Sequence, residues 1–124
     1  MTQREKDLLL IDLCSRLPYG VKVQFRYIIT SPAVLKGINK YLIECDIAVC
    51  EIQDIKPYLF PLSSMTEEQK REYNSLCSIG TDEYGDITYF NTFESIDWLN
   101  RNHFDYRGLI PMGLAVNATG LNIY

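Results

Sequence analysis

The residues best suited to chemistry lie in one short segment. His103, Asp105 and Arg107 alternate along the sequence, so in an extended chain their side chains would point the same way. A histidine beside a carboxylate can act as a general base or be held in one tautomer. Trp98 lies nearby in the sequence and adds an aromatic surface. The segment is therefore a candidate polar site, and if it were functional the protein would be an enzyme.

A structural role for the same residues is the alternative. The helix dipole alone favours Arg or His near a helix C-terminus, and Asp105 can pair with Arg107 or cap a turn. The sequence has no nucleophile in a recognisable setting such as G-x-S-x-G, and it has neither of the common phosphate-loop patterns. We therefore expect a protein without catalytic activity, and we assign it no catalytic residue and no cofactor.

The cysteines do not have the spacing of a metal site. Cys45 and Cys50 come closest, with four residues between them, and on one strand this odd spacing points them to opposite faces unless a turn or bulge intervenes. We assign no metal and expect free, mostly buried thiols of a reducing cytoplasm. The sequence shows no secretory signal. It also contains no apolar stretch that approaches the roughly 20 residues needed to span a membrane. The prediction is a cytoplasmic protein without a membrane contact.

The charges are divided along the chain. The 124 residues carry a net charge of -4, which argues mildly against a generic nucleic-acid binder. The segment from Leu13 to Ile43 nevertheless contains only positive charges, among them Lys22, Arg26, Lys36 and Lys40. Basic and acidic strands that pair side by side are one interpretation. The other interpretation is a basic surface patch that binds phosphate or an acidic partner. In a nucleic-acid complex, Tyr19 and Tyr41 would add stacking surfaces.

An apolar stretch with two prolines follows the basic segment. Residues 56–62 read Lys-Pro-Tyr-Leu-Phe-Pro-Leu. Tyr58 and Phe60 could dock a partner protein, as polyproline-type ligands do. The alternative is that this connector covers the end of a sheet.

Periodicity divides the chain into helices and strands. Thr2 with Glu5, Thr66 with Gln69 and Asn91 with Glu94 have the capping-box spacing, which predicts helices over 2–16, from 66 onward and over about 93–102. Phe93 should face inward on the third helix, with Trp98 at its margin. An alternation of apolar residues predicts a strand over 21–29. Its inward members would be Val21, Val23, Phe25, Tyr27 and Ile29.

These elements predict one domain over residues 1–124. Further short strands are expected at 34–38, over 41–47, up to about 55, and at 87–90, with an acidic mobile loop over 81–86. Strands that follow one another without a helix between them usually pair antiparallel. The fold class is therefore α+β, with an N-terminal helix, two further helices, and four to five strands. They form either a small antiparallel sheet or a partly open SH3-like barrel.

Three blocks of sequence carry a resemblance to a known family. They are LLLIDLCSRLPYGVKV at 8–23, IKPYLFPLSSMTEE at 55–68, and DWLN at 97–100 with HFDYRGLI at 103–110, about a third of the chain. These blocks resemble a family of small uncharacterised proteins from gut anaerobic bacteria and their prophages or mobile elements. The resemblance implies a bacterial or phage origin and a cytoplasmic setting, and it transfers no functional residue.

The expected function is an accessory binding or interaction protein without catalytic activity. A protein partner is favoured over nucleic acid, and the sequence leaves the oligomeric state open. Nucleic-acid binding through the basic face of the first strand is the first alternative. An enzyme built on the His103 segment is the second.

Overall fold

The computed structural model describes residues 1–39 and 42–124, with the backbone alone for residues 28–30. It confirms the α+β class, with three helices, an open mixed sheet and a separate two-stranded hairpin. The helices are α1 (Gln3–Arg16), α2 (Glu67–Leu76) and α3 (Phe93–Arg101). The strands are β1 (Lys22–Phe25), β2 (Ile28–Ile38), β3 (Ile43–Cys45), β4 (Val49–Cys50), β5 (Ile55–Pro61), β6 (Ser78–Thr81), β7 (Ile87–Phe90), β8 (Phe104–Asp105) and β9 (Val116–Asn117).

The main sheet has the strand order β4-β3-β2-β1-β5-β8, and β9 also pairs with β5. The pairs from β4 to β5 are antiparallel, as the sequence predicts for strands in local succession. β8 and β9 are two-residue strands that run parallel to β5, which makes the sheet mixed. The sheet stays open and does not close into a barrel. Its seven strands exceed the expected four to five because β5, β8 and β9 were not expected, while the predicted strand at 87–90 lies in the separate hairpin.

Helix α1 covers the inner face of the sheet. It begins at the predicted capping box, in which the Thr2 hydroxyl accepts a hydrogen bond from the Glu5 amide at 3.1 Å. Its buried residues Leu9 and Leu13 join the main core with the inward side chains of the strands. Among these are Val21, Val23, Leu35, Ile43, Ile55 and Leu59.

The predicted strand over 21–29 is wrong beyond Phe25. Arg26 and Tyr27 form a tight turn, with Phe25 paired to Ile28, and β2 then runs through the segment expected to end the strand. The Arg26 amide donates a hydrogen bond to the Asp54 carbonyl at 2.7 Å. Tyr27 is therefore 69% exposed and does not lie on the inner face.

The expected connector over 56–62 is mostly the central strand β5. β5 pairs with β1 on one side and with β8 and β9 on the other. Pro57 lies fully buried within it, and Leu59 belongs to the main core. The two prolines suggested a linker, but the partners on either side of β5 turn this apolar stretch into a buried strand.

Helices α2 and α3 form a second, smaller core. Trp98, Leu99 and Phe104 are buried there, with Phe60, Met65, Tyr73, Leu76, Ile96 and Tyr106 packed against them. The cap of α3 is Thr92 with Ser95, one residue later than predicted. The inward face also differs from the predicted one: Trp98, expected at the margin, is buried against Phe104, and Phe93, expected inside, is 85% exposed.

Candidate functional site

The three alternating polar residues of the C-terminal segment do not converge. Asp105 is buried, and its two carboxylate oxygens accept hydrogen bonds from the amides of Leu109 and Ile110 at 3.0 and 2.9 Å. This carboxylate caps a turn, which is one of the structural roles that the sequence left open. Arg107 turns instead toward α1, where its Nη1 lies 2.7 Å from the Asp12 carboxylate.

Asp12 is the centre of a buried ionic cluster. Its other oxygen accepts a hydrogen bond from Arg16 Nε at 2.9 Å, and both of these side chains are fully buried. Arg16 Nη2 donates to the Phe104 carbonyl at 2.7 Å. The Tyr106 ring lies 4.5 Å from the Arg107 guanidinium and 5.3 Å from that of Arg16. The cluster therefore fastens α1 to the chain that follows α3.

His103 belongs to a third environment. Its ring stacks on Tyr124, with the ring centroids 3.7 Å apart and the planes 9° from parallel. Burial, together with the charges of Arg16 and Lys22, lowers the pKa of His103 to about 4. Its Nδ1 is buried, and among the described residues it has no hydrogen-bond partner. The side chain is neutral at pH 7, and its low pKa makes it a weak general base.

Trp98 has a structural environment as well. It is 3% exposed, and its ring stacks on that of Phe104 at 5.6 Å between centroids. Its indole N–H donates to the Glu72 carboxylate at 2.9 Å, which links α3 to α2. The four residues of the candidate polar site therefore lie in four different environments: the second core, the stack on Tyr124, the turn cap and the ionic cluster.

The basic residues lie on the outer face of the sheet and near it. Lys22 is partly buried, and its ammonium donates to the Ile123 carbonyl at 2.8 Å. Arg26 is largely exposed, with the Asp54 carboxylate 3.8 Å from its Nη1. Lys36 is exposed, and Lys40, like Tyr41, lies outside the described residues.

Acidic neighbours neutralise only part of this face, because Asp54, directly before β5, is the ion-pair partner of Arg26 at the end of β1. Within residues 1–39 and 42–124, neither Glu44 nor Asp46 forms an ion pair, and Asp46 accepts a hydrogen bond from the Val34 amide instead. Lys56 lies opposite Gln24 in the pairing of β5 with β1. A hollow of about 310 Å³ opens beside them. It is lined by Gln24, Arg26, Gln53, Asp54 and Lys56.

Of the two residues considered as a docking motif, Tyr58 is buried and Phe60 is partly exposed. Tyr58 is 4% exposed, and its carbonyl accepts a hydrogen bond from the Tyr124 hydroxyl at 2.8 Å. Phe60 is half-buried, with its ring near those of Phe104 and Tyr124. Both residues therefore hold the chain around β5 together.

The β6–β7 hairpin carries a group of exposed apolar side chains outside the two cores. Its four cross-strand pairs run without a bulge from Ser78 opposite Phe90 to Thr81 opposite Ile87. Residues directly opposite each other share a face, so Ile79, Thr81, Ile87 and Tyr89 form one face. On this face Ile79 is 69%, Ile87 68% and Tyr89 50% exposed. The hairpin therefore presents an apolar face that no other described part of the chain covers.

The hairpin is fixed at its base and closed at its tip. Near its base the Tyr73 hydroxyl donates to the Asn91 side chain, and the Thr92 hydroxyl donates to the Leu76 carbonyl. At the tip, the Asp82 carboxylate accepts hydrogen bonds from the amides of Tyr84 and Asp86, each at 2.9 Å. The segment expected to be a mobile acidic loop is thus an ordered turn. It holds the hairpin as an arm that extends from the α2–α3 pair.

The sequence prediction located only half of this hairpin. Ile87 to Phe90 consists of two β-branched and two aromatic residues and was predicted as a strand. Its partner β6 was missed, because Gly80 looks like the end of a helix. The structure places the Phe90 ring over Gly80, where a Cβ would lie 2.7 Å from Phe90 Cε2. A glycine in a short strand, facing an aromatic residue across a five-residue turn, is the signal that could have revealed it.

Two of the four cysteines, Cys45 and Cys50, are buried as expected, whereas Cys14 is exposed and Cys77 is partly exposed. A turn between β3 and β4 brings Cys45 and Cys50 to the same buried side of the sheet. Burial raises the pKa of the Cys50 thiol to about 12, which keeps it protonated and unreactive. Among the described residues, no group of three or more His, Cys, Asp or Glu side chains could hold a metal ion. Within the same residues, no helix combines the length and the apolarity needed to cross a bilayer.

Comparisons with protein-family models, curated proteins and solved structures find no match to the chain.

Proposed function

We propose that this chain is an accessory protein-interaction protein of bacterial or phage origin that acts in the cytoplasm without catalysing a reaction. The observation that carries the proposal is the exposed apolar face of the β6–β7 hairpin. Exposed apolar surface costs free energy in water, and contiguous patches on a folded domain usually mark an interaction site. The origin and the cytoplasmic setting rest on the family resemblance of the three sequence blocks.

The hairpin also has the features of a strand-addition site. Edge strands are usually protected by charge, proline or a bulge, because unpaired backbone groups recruit other chains. Neither β6 nor β7 contains a charged residue or a proline, and their register is regular. A partner could therefore add a strand to this edge and cover the apolar face at the same time.

Affinity capture with a matched pair of variants tests this proposal. Tagged chain would be produced in a bacterial host together with an untagged copy, and the retained proteins would be identified. Ile87→Lys combined with Tyr89→Lys places charge on the hairpin face. Ile11→Lys changes an equally apolar residue, 56% exposed on α1, and is the control. We expect the hairpin variant, and not the control, to lose retained protein. If nothing is retained through the hairpin, the proposal is refuted.

Nucleic-acid binding is the second candidate, and the hollow beside Arg26 and Lys56 favours it. Two cations and two amide side chains could contact a phosphate backbone there, although Asp54 opposes them. Anisotropy of labelled oligonucleotides at low and moderate salt tests this function. Nucleic-acid binding is supported if the oligonucleotides bind in a salt-sensitive way and the double variant Arg26→Glu, Lys56→Glu abolishes this binding. The control variant Lys70→Glu on α2 should leave the binding intact. Flat anisotropy at high protein concentration would exclude it.

A further inference from the structure

We infer that the partner of the hairpin is a second copy of this chain, added along β7 in an antiparallel pair with a two-fold axis at Thr88. This inference rests on the proposed function, because it names the partner of the same surface. Among the described residues, β6 and β7 pair only with each other. An isolated two-stranded hairpin is marginally stable, and a four-stranded sheet is the smallest symmetric assembly that would support it.

β7 is the edge better suited to pairing. Its sequence, Ile-Thr-Tyr-Phe, contains only residues with high strand propensity. β6 contains Gly80, which weakens a strand and offers no side chain to pack. Self-pairing of β7 also brings no like charges opposite each other, since the strand carries none.

The faces of the hairpin restrict the register. Directly opposite residues of an antiparallel pair share a face, so residues of the exposed face must meet residues of the same face. With the axis at Thr88, Thr88 lies opposite Thr88 of the second copy. Ile87 of each copy then lies opposite Tyr89 of the other copy, which gives two such pairs. Aromatic with β-branched pairs and Thr–Thr pairs are among the favourable cross-strand combinations. An axis at Tyr89 would instead use Phe90, whose ring already packs on Gly80.

The same register accounts for two more exposed aromatic residues. Counting outward from Thr88 brings Tyr84 in the turn to the level of Thr92 and Phe93 of the second copy. Tyr84 is 82% and Phe93 85% exposed in the single chain. The antiparallel arrangement also places the two acidic tips, each with Asp82, Glu83 and Asp86, at opposite ends of the assembly. The two tips are thus kept apart, while the same count brings Glu94 of the second copy to the level of Asp82.

The available area fits a modest dimer. Pairing along β7 brings the exposed side chains of Tyr84, Ile87, Tyr89 and Phe93 beside the second copy, whereas Ile79 on β6 stays outside the contact. At about 150–250 Å² for a whole aromatic side chain, the exposed fractions of the three aromatic residues offer on the order of 400 Å². A standard interface buries about 800 Å² on each partner, so this contact is roughly half of that size. We therefore expect a dimer that forms at micromolar or higher protein concentration.

Sedimentation equilibrium and disulfide cross-linking together test the inference. Sedimentation should show a monomer–dimer equilibrium that Ile87→Lys with Tyr89→Lys weakens by about tenfold or more, while Ile11→Lys leaves it unchanged. Thr88→Cys, introduced with Cys14→Ser and Cys77→Ser, should form an intermolecular disulfide under mild oxidation, because directly opposite Cα atoms lie about 4.5–5.5 Å apart. Thr81→Cys in the same background, on the far strand, should not.

Each outcome decides the inference. Circular dichroism and Trp98 fluorescence confirm that every variant is folded before it is compared. A monomer at all concentrations overturns self-pairing, and so does a dimer whose Thr88→Cys form does not cross-link. In the capture experiment, the tagged chain could retain a different protein through the hairpin but not the untagged copy of itself. In that case the proposed function stands and the inference of self-pairing fails. If it retains nothing at all, both fail.

Discussion

Removal of the Asp12 carboxylate should destabilise the chain more than any surface substitution. Asp12→Ala leaves Arg16 fully buried, with a single hydrogen bond to the Phe104 carbonyl, and it removes the 2.7 Å partner of Arg107. Breaking a buried ion pair by deleting one partner costs about 3–5 kcal/mol, because the remaining charge has neither water nor a counterion. A domain of this size has a total free energy of unfolding of about 5–15 kcal/mol.

Urea unfolding measures this loss. Trp98 is the only tryptophan, and its burial in the second core makes its fluorescence a probe of folding. With a urea dependence of about 2 kcal/mol per molar, the midpoint should fall by about 2 M. Asp7→Ala, which removes an exposed carboxylate of the same helix, should barely change the midpoint. A loss below about 1 kcal/mol in Asp12→Ala would refute the view that this cluster fastens α1 to the rest of the fold.

Two further predictions concern His103 and Gly80. The pKa of His103 is about 4 in the folded chain and 6.5 for the free side chain, so below pH 6.5 the unfolded state binds more protons. The contribution of the neutral imidazole to the free energy of unfolding is therefore complete above pH 6.5 and decreases as the pH falls toward 4. Urea titrations from pH 7 to 4 measure this dependence, and His103→Phe should make it flatter. An imidazole proton signal that titrates near pH 6.5 would contradict this environment. Gly80→Ala should displace the Phe90 ring and speed amide exchange in the hairpin, while amides of β1 and β5 keep their protection. Unchanged exchange in the hairpin would show that the ring does not hold it.

Local patterns predicted the elements whose signals are contained within a few residues. The capping boxes at Thr2 and Thr66 begin α1 and α2 where the sequence places them. In both, the cap and the third residue of the helix satisfy each other's backbone amides, so the signal needs no distant partner. The cap of α3 moved by one residue, because Thr92 and Ser95 offer the same reciprocal bonds as Asn91 and Glu94. The cap does not decide which face packs inward; Trp98 is buried between Tyr73 and Phe104, and Phe93 is exposed.

Long-range contacts determined what the sequence could not reveal. β5 looked like a connector because its prolines and apolar residues lack alternation, and only its partners on both sides make it a central strand. The alternation of His103, Asp105 and Arg107 suggested a shared site. Asp105 instead caps the adjacent turn at Leu109, a local role that the sequence offered as an alternative. The partners of His103 and Arg107 are Tyr124 and Asp12, the latter 95 residues from Arg107, and sequence spacing contains no information about such distant partners.

The most direct test of the central claim, that the β6–β7 hairpin is the contact surface of this protein, is site-specific photo-crosslinking in living bacteria. A benzophenone amino acid would replace Tyr89 on the hairpin face or, as a control, Tyr27, which is 69% exposed in the β1–β2 turn. Our account predicts a discrete cross-linked product from position 89, either a dimer or an adduct with another protein, and none from position 27. No product from position 89, or equal products from both positions, would contradict it.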